Sequence, residues 1–202
     1  MFAIRIAVAA LVLASSAALA QQPQSVRIRG QIETIDGNML AIKARDGTSV
    51  AVKLADDARV LAQVKASADD IKPGAFVGIA GVPDNDGSVK AISVHFFLDS
   101  QRGVIADRHG PWDLLPNSTM TNAYVETSVV GVNGREVLVK YKDGEKKILV
   151  TPETKIVRNA PAERSEVKAG AQIIIFAAQK QPDGSLVAPA IYVGRDGVTP
   201  PM

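Results

Sequence analysis

The chain has 202 residues, no cysteine, and a formal net charge of +2 from 23 Lys and Arg against 21 Asp and Glu. The lack of cysteine excludes iron–sulfur clusters, zinc–thiolate sites, cysteine nucleophiles and disulfide frameworks, so stability must come from buried apolar surface. Charges of both signs interleave, as in RIRGQIE, KARDG and KYKDGEKK, without the clustered basic field that nucleic-acid binding requires.

In chain order, the first segment reads MFAIRIAVAALVLASSAALA. One cation, Arg5, precedes an apolar run over residues 6–14, and small residues end in Ala18-Leu19-Ala20. This is the pattern of a secretory signal peptide, and the run is shorter than the roughly 20 residues of a spanning helix. The sequence predicts a leader over 1–20 and cleavage before Gln21. It predicts a periplasmic or secreted mature chain with no transmembrane segment.

The next segment alternates. Val26, Ile28, Ile32 and Ile35 suggest a long first strand with a break near Gly30, because a strand glycine marks a bulge or a close backbone approach. Asp36-Gly37-Asn38 turns the chain, and Leu40 and Ile42 alternate with polar neighbours. Asp46-Gly47 is a hairpin signal, followed by Val50, Val52 and Leu54. Residues 67–74 read as a short helical turn or loop. Residues 75–81 form an apolar run short enough for a buried strand, 83–87 a polar turn, and Ala91-Ile92-Ser93-Val94 begins a last strand.

The same order then repeats. Aligning Asp46-Gly47 with Asp143-Gly144, an offset of 97, places Ile35-Asp36-Gly37 on Val132-Asn133-Gly134. After a one-residue slip, Asp70-Ile71-Lys72-Pro73-Gly74-Ala75 meets Glu166-Val167-Lys168-Ala169-Gly170-Ala171, and at 97 again Asp86-Gly87-Ser88 meets Asp183-Gly184-Ser185. Each copy holds five or six short strands with one helical interruption. Short strands leave edges that invite association unless the sheet curls shut. The expected fold is all-β, with two tandem small Greek-key barrels of the oligonucleotide/oligosaccharide-binding (OB) type over 21–98 and 123–195. A structured connector over 99–122 would join them, and a disordered tail would occupy 196–202. A single intertwined sheet built from both halves gives the same pattern.

The residues 26–54, 70–77 and 87–94, with an echo in the second copy, resemble an exported bacterial family of unknown function with duplicated OB-like repeats. The resemblance implies a fold and a compartment, and no chemistry or cofactor.

The connector concentrates unusual residues. The stretch 107–123, DRHGPWDLLPNSTMTNA, holds the only Trp and one of two His. Trp112 with His109 and Tyr124 could present a ligand-binding surface. Alternatively Trp112 buries about 150–250 Å² and clasps the two copies. His95, Asp107, His109 and Asp113 carry donors that suit a transition metal, although their spacing is no metal signature. Ser118, Thr119 or Thr121 would need His109 as base, and no nucleophile elbow is present. Asp84-Asn85-Asp86-Gly87 reads as a turn, since the distal Glu of a calcium loop is absent. The sequence therefore predicts a non-enzymatic module without a cofactor. Its partner would be a periplasmic protein or a small ligand, not nucleic acid. The alternative is a periplasmic accessory that handles a transition metal through His109, His95, Asp107 and Asp113.

Overall fold

A computed structural model describes residues 24–202; the expected leader lies outside the described residues. The chain is all-β. Its strands are β1 (Ser25–Asp36), β2 (Met39–Ala44), β3 (Ser49–Lys65), β4 (Phe76–Pro83), β5 (Val89–Phe96), β6 (Arg108–Pro111), β7 (Thr119–Gly131), β8 (Gly134–Tyr141), β9 (Gly144–Val150), β10 (Lys155–Pro161), β11 (Gln172–Lys180) and β12 (Leu186–Gly194). Among the described residues no helix is long and apolar enough to cross a membrane.

Alternation sets which face is buried. Leu40 and Ile42 of β2, Val52 and Leu54 of β3, Val137 and Val139 of β8, and Ile148 and Val150 of β9 are all buried. The neighbours Lys43, Lys53 and Lys140 are exposed. Three Asp-Gly turns share one device. The Asp carboxylate accepts the backbone N–H two residues on, at 2.9 Å for Asp46 with Thr48, Asp86 with Ser88 and Asp183 with Ser185, and the glycine between takes a positive φ. Gly30 marks a close approach, as its sequence suggests: a Cβ there would sit 2.1 Å from the Lys43 carbonyl oxygen.

Pairing closes two rings of five strands. In the first, β1 pairs β2, β2 pairs β3, β3 pairs β12 in parallel, β12 pairs β11, and β11 returns to β1. Pro189, which has no N–H to give a ladder, sits at the bulge between Ala188 and Ala190. In the second ring, β4 pairs β5 and β7, β7 pairs β8, and β8 pairs β9. A short parallel bridge, Val89↔Ile148 and Lys90↔Leu149, closes it, and β10 continues it along β5 from Lys155↔Ser93 to Arg158↔Phe96.

This corrects the expectation of one barrel per half. Each ring takes three strands from one half and two from the other. The reason is the path of β3. Residues 48–66 contain no Gly or Pro to reverse the chain, so β3 runs on past the first ring. Its second half pairs with β10 in antiparallel register, Lys65↔Val157 to Leu61↔Pro161. At the middle of this pairing Gln63 faces Asn159. They lie 96 residues apart, the offset that relates Asp70 to Glu166. The two crossing arms thus meet at equivalent positions about a local twofold axis.

The short 3-10 turns Ala68–Asp70 and Arg164–Glu166 follow the arms. Asp70 accepts the Ser67 N–H at 2.9 Å and Glu166 the Glu163 N–H at 3.3 Å. Behind them Ile71 enters the core of the second ring and Val167 that of the first. A third apolar cluster joins the rings: Ala80, Met120, Ile174, Tyr192 and Met202, with Trp112 and Phe176 packed on it. The tail, expected to be disordered, lacks strands but is seated in this cluster. Met202 is fully buried, Arg29 Nε donates to its carbonyl oxygen, and the Arg45 guanidinium donates to that of Pro200.

Gly78 of β4 faces His95 of β5, and a Cβ there would lie 2.0 Å from His95 Cε1. Because the added methyl displaces a buried ring, Gly78→Ala should cost about 1–3 kcal/mol of stability, read by urea unfolding. An unchanged midpoint would show that His95 moves freely.

Candidate functional site

Between the rings lies a cavity of about 390 Å³ whose wall draws on β1, β3, β5, the connector, β11 and β12. The strand exchange positions it. The cross-strand pair Gly78–His95 of β4–β5 is matched by Ile174–Tyr192 of β11–β12, so His95 and Tyr192 hold corresponding places in the two strand pairs. Both line the cavity. Phe176 links them, with its ring centroid 6.4 Å from that of His95 and 4.9 Å from that of Tyr192. Phe97 packs edge-on against His95 at 4.4 Å, and Trp112 lies 6.3 Å from Phe176.

The polar groups of this wall are unevenly satisfied. Tyr192 is tied to the axis: Gln63 Nε2 donates to Asn159 Oδ1 (3.2 Å), Asn159 Nδ2 to Gln101 Oε1 (3.2 Å), and Gln101 Nε2 to the Tyr192 hydroxyl (3.3 Å). By contrast, Arg27 Nε, Trp112 Nε1 and His95 Nδ1 are buried without a partner, which costs about 1–3 kcal/mol for a neutral group. Burial pushes the His95 pKa down to about 3 against the opposing effect of the Gly78 backbone, so the imidazole stays neutral at physiological pH.

The cavity wall includes Arg27, Arg59 and Arg108 and no carboxylate. The Arg27 guanidinium lies 3.8 Å from the Trp112 ring centroid, a cation–π contact, and pairs with Asp113 at 2.7 Å. Asp113 also binds Arg29 at 2.6 Å. Its partial burial raises the carboxyl pKa, but the hydrogen bonds and charges of Arg29 and Arg27 prevail and hold it at about 2. Arg59 and Arg108 make no ion pair among the described residues. A larger open groove of about 550 Å³ lies beside Arg29 and Arg45, but the tail carbonyls already engage both guanidiniums.

The residues singled out in the sequence do not all gather here. Trp112 and His95 do. His109 lies on the β6–β7 hairpin, its Nδ1 2.8 Å from Thr121 Oγ1 and its ring stacked on Tyr141 at 5.9 Å. Desolvation, then Lys146, lowers its pKa. Thr121 is fully buried, and His109 is half-buried beside it. Tyr124 stacks on Phe76 at 4.7 Å beneath Arg102, outside the cavity. Of the expected contact residues Trp112, His109 and Tyr124, only Trp112 lies on this cavity wall. The four expected metal donors do not converge: His95 lies in the cavity wall, His109 on the β6–β7 hairpin, and Asp113 pairs with Arg27 and Arg29. No cluster of three His, Cys, Asp or Glu able to hold a metal forms among the described residues. Sequence reasoning missed Phe176, Tyr192, Arg27, Arg59 and Arg108. Aligning His95 with Tyr192 at the offset of 97 is the signal that could have found the second.

No family model, curated protein or solved structure matches this chain.

Asp113 gives a pH prediction. Its folded pKa is depressed below the ordinary 3.8, so its contribution is present above that value and lost as pH falls from about 4 to 2. Asp113→Asn should lower stability at pH 6 by about 0.5–1 kcal/mol, the range of a half-exposed pair. The gap to the parent should close by pH 2 in thermal melts. A gap independent of pH would rule the charge pair out as its cause.

Proposed function

We propose that this chain is an exported, non-enzymatic binding module and that the cavity between its rings is the ligand site. One observation carries the reading: four aromatic side chains, Phe97, Trp112, Phe176 and Tyr192, line a single cavity with Arg59 and Arg108, which make no ion pair among the described residues. A concave, mostly aromatic wall with a few charged groups is the usual make-up of a ligand site. The volume falls within the range of small-molecule pockets, about 300–1,000 Å³. The leader-like residues 1–20 support a periplasmic or secreted location.

We also read the two rings as OB-like barrels of a duplicated unit, each completed by the fourth and fifth strands of the other copy. Three features support this: the shared order of landmarks, the parallel closure of third strand on fifth in both rings, and the turn that follows each third strand. Binding rather than catalysis follows from the wall chemistry. His95 is neutral and fixed, and the cavity wall contains no carboxylate to serve as base or nucleophile.

Trp112 is the only Trp, so its indole N–H resonance reports on this wall alone. In a small-molecule screen by NMR, true ligands should shift that resonance and saturate at one equivalent. At a hundredfold excess over Kd they should raise the melting temperature by ~5–10 °C. Trp112→Leu should abolish the binding and keep the fold. Ligands that saturate without moving the indole resonance would place the site elsewhere.

A further inference from the structure

We propose that the free edge of β1 over Ser25–Ile28 takes up an extended, acidic segment of a partner protein as an added strand, in the way that β6 lies on β7. This edge is a second site, distinct from the cavity between the rings. Arg27 is the one residue that lines both.

Two long strands carry the comparison. β1 pairs β11 through its first half and β2 from Gly30 onward. β7 pairs β4 through its first half and β8 from Tyr124 onward. Ahead of Tyr124, β6 covers Thr119–Asn122 on the side away from β4. Ahead of Gly30, no strand of the described residues covers Ser25–Arg29 on the side away from β11. A groove of about 550 Å³ opens there instead, between this edge and the β2–β3 turn.

The backbone directions suit a strand. The Lys180 N–H donates to the Gln24 carbonyl oxygen, and the Arg45 N–H donates to that of Arg29. Gln24 therefore points to β11 and Arg29 to the β2 side, and alternation along the strand turns Ser25 and Arg27 toward the groove. Unpaired N–H and C=O groups on an edge are a template for another strand. On β7 the same template is filled. The Trp112 N–H donates to the Ser118 carbonyl oxygen, Gly110 and Arg108 follow opposite Met120 and Asn122, and His109 faces the buried Thr121 between them.

Side chains and charge select the occupant. Val26, 41% exposed, shares one face with Ile28 of the first core, and Val50 packs on that core at the same groove. Alternate residues of an added strand rest on this apolar face. The rest of the wall sets Arg27, Arg29 and Arg45 against Asp46 and Asp113, and Arg45 makes no ion pair among the described residues. The surplus is cationic. Opposite charges across a strand pair stabilise it, and like charges oppose it. A second copy of this chain presenting the same edge sets these arginines against themselves. A strand that alternates apolar and acidic residues meets both demands, with its acidic residues opposite Arg27 and its neighbours and its apolar ones opposite Val26 and Ile28.

The test titrates the mature chain with acetyl-TEVEVT-amide and follows backbone amide exchange by NMR. At saturation the Arg27 N–H should exchange at least about tenfold more slowly. The peptide should bind at least about tenfold more tightly than acetyl-TKVKVT-amide. N-methylation of its glutamates, whose N–H groups face β1 in this register, should abolish binding, whereas N-methylation of its valines should leave it intact. Equal binding of the lysine peptide would overturn the acidic class. Equal binding of the two methylated peptides, or protection confined to residues away from Ser25–Ile28, would overturn strand addition. No binding at millimolar concentration would overturn the proposal whole, and the cavity reading would stand. Protection of Arg27 that exists without peptide and fades on dilution would assign the edge to a second copy and overturn the proposal as well.

Discussion

The antiparallel pairing of the second half of β3 with β10 is the interaction on which the rest of the molecule depends. A strand that leaves a ring must satisfy its backbone N–H and C=O groups elsewhere or lose them to desolvation. Each arm does so on the other, in a register centred on Gln63 and Asn159. Once the arms are paired, β4 and β5 are delivered to the ring begun by β7, β8 and β9, and β11 and β12 to the ring begun by β1, β2 and β3. Neither ring closes without strands of the other half. The two cores, one around Ile42 and Ile175 and the other around Ile79 and Val139, are therefore coupled through the backbone itself.

The same crossing creates the cavity. His95 of β5 and Tyr192 of β12 hold corresponding places in the two strand pairs and line one space from opposite rings. The two positions differ in what faces them. His95 sits over Gly78, which leaves room for its ring, whereas Tyr192 faces Ile174 and sends its hydroxyl to Gln101. The connector supplies what neither copy has. Trp112 closes the wall, gripped by the Arg27 guanidinium on its face and by the third apolar cluster behind it. The wall that results is aromatic and cationic.

Much of the fold was legible in the sequence. Period-two alternation placed the strands of both halves, and the three Asp-Gly turns fell where expected. The exchange was not legible, for a physical reason. Val77 and Ile79 of β4 present the same buried pattern as Ile173 and Ile175 of β11, so β1 could accept either partner on hydrophobic pattern alone. Only the unbroken run over 48–66, free of Gly and Pro, pointed to an arm that does not turn back. Trp112 stood out because it is unique. His109 and Tyr124 stood out for being rare residues near it, and rarity does not bring side chains together. Arg59 and Arg108 looked like ordinary solvated charges, because what gathers them is the crossing of the arms. The buried tail was missed because its Pro-rich, aperiodic sequence gives no sign that Met202 fills a gap between the rings.

The exchange can be tested directly, because the chain has no native thiol. Gln31 of β1 lies opposite Gln172 of β11. In the variant Gln31→Cys, Gln172→Cys, mild oxidation should produce one disulfide within a monomer, seen as the loss of two hydrogens in the intact mass and as a linked peptide pair after digestion. Free thiols in a folded monomer would mean that each half closes its own ring and that the arms do not cross.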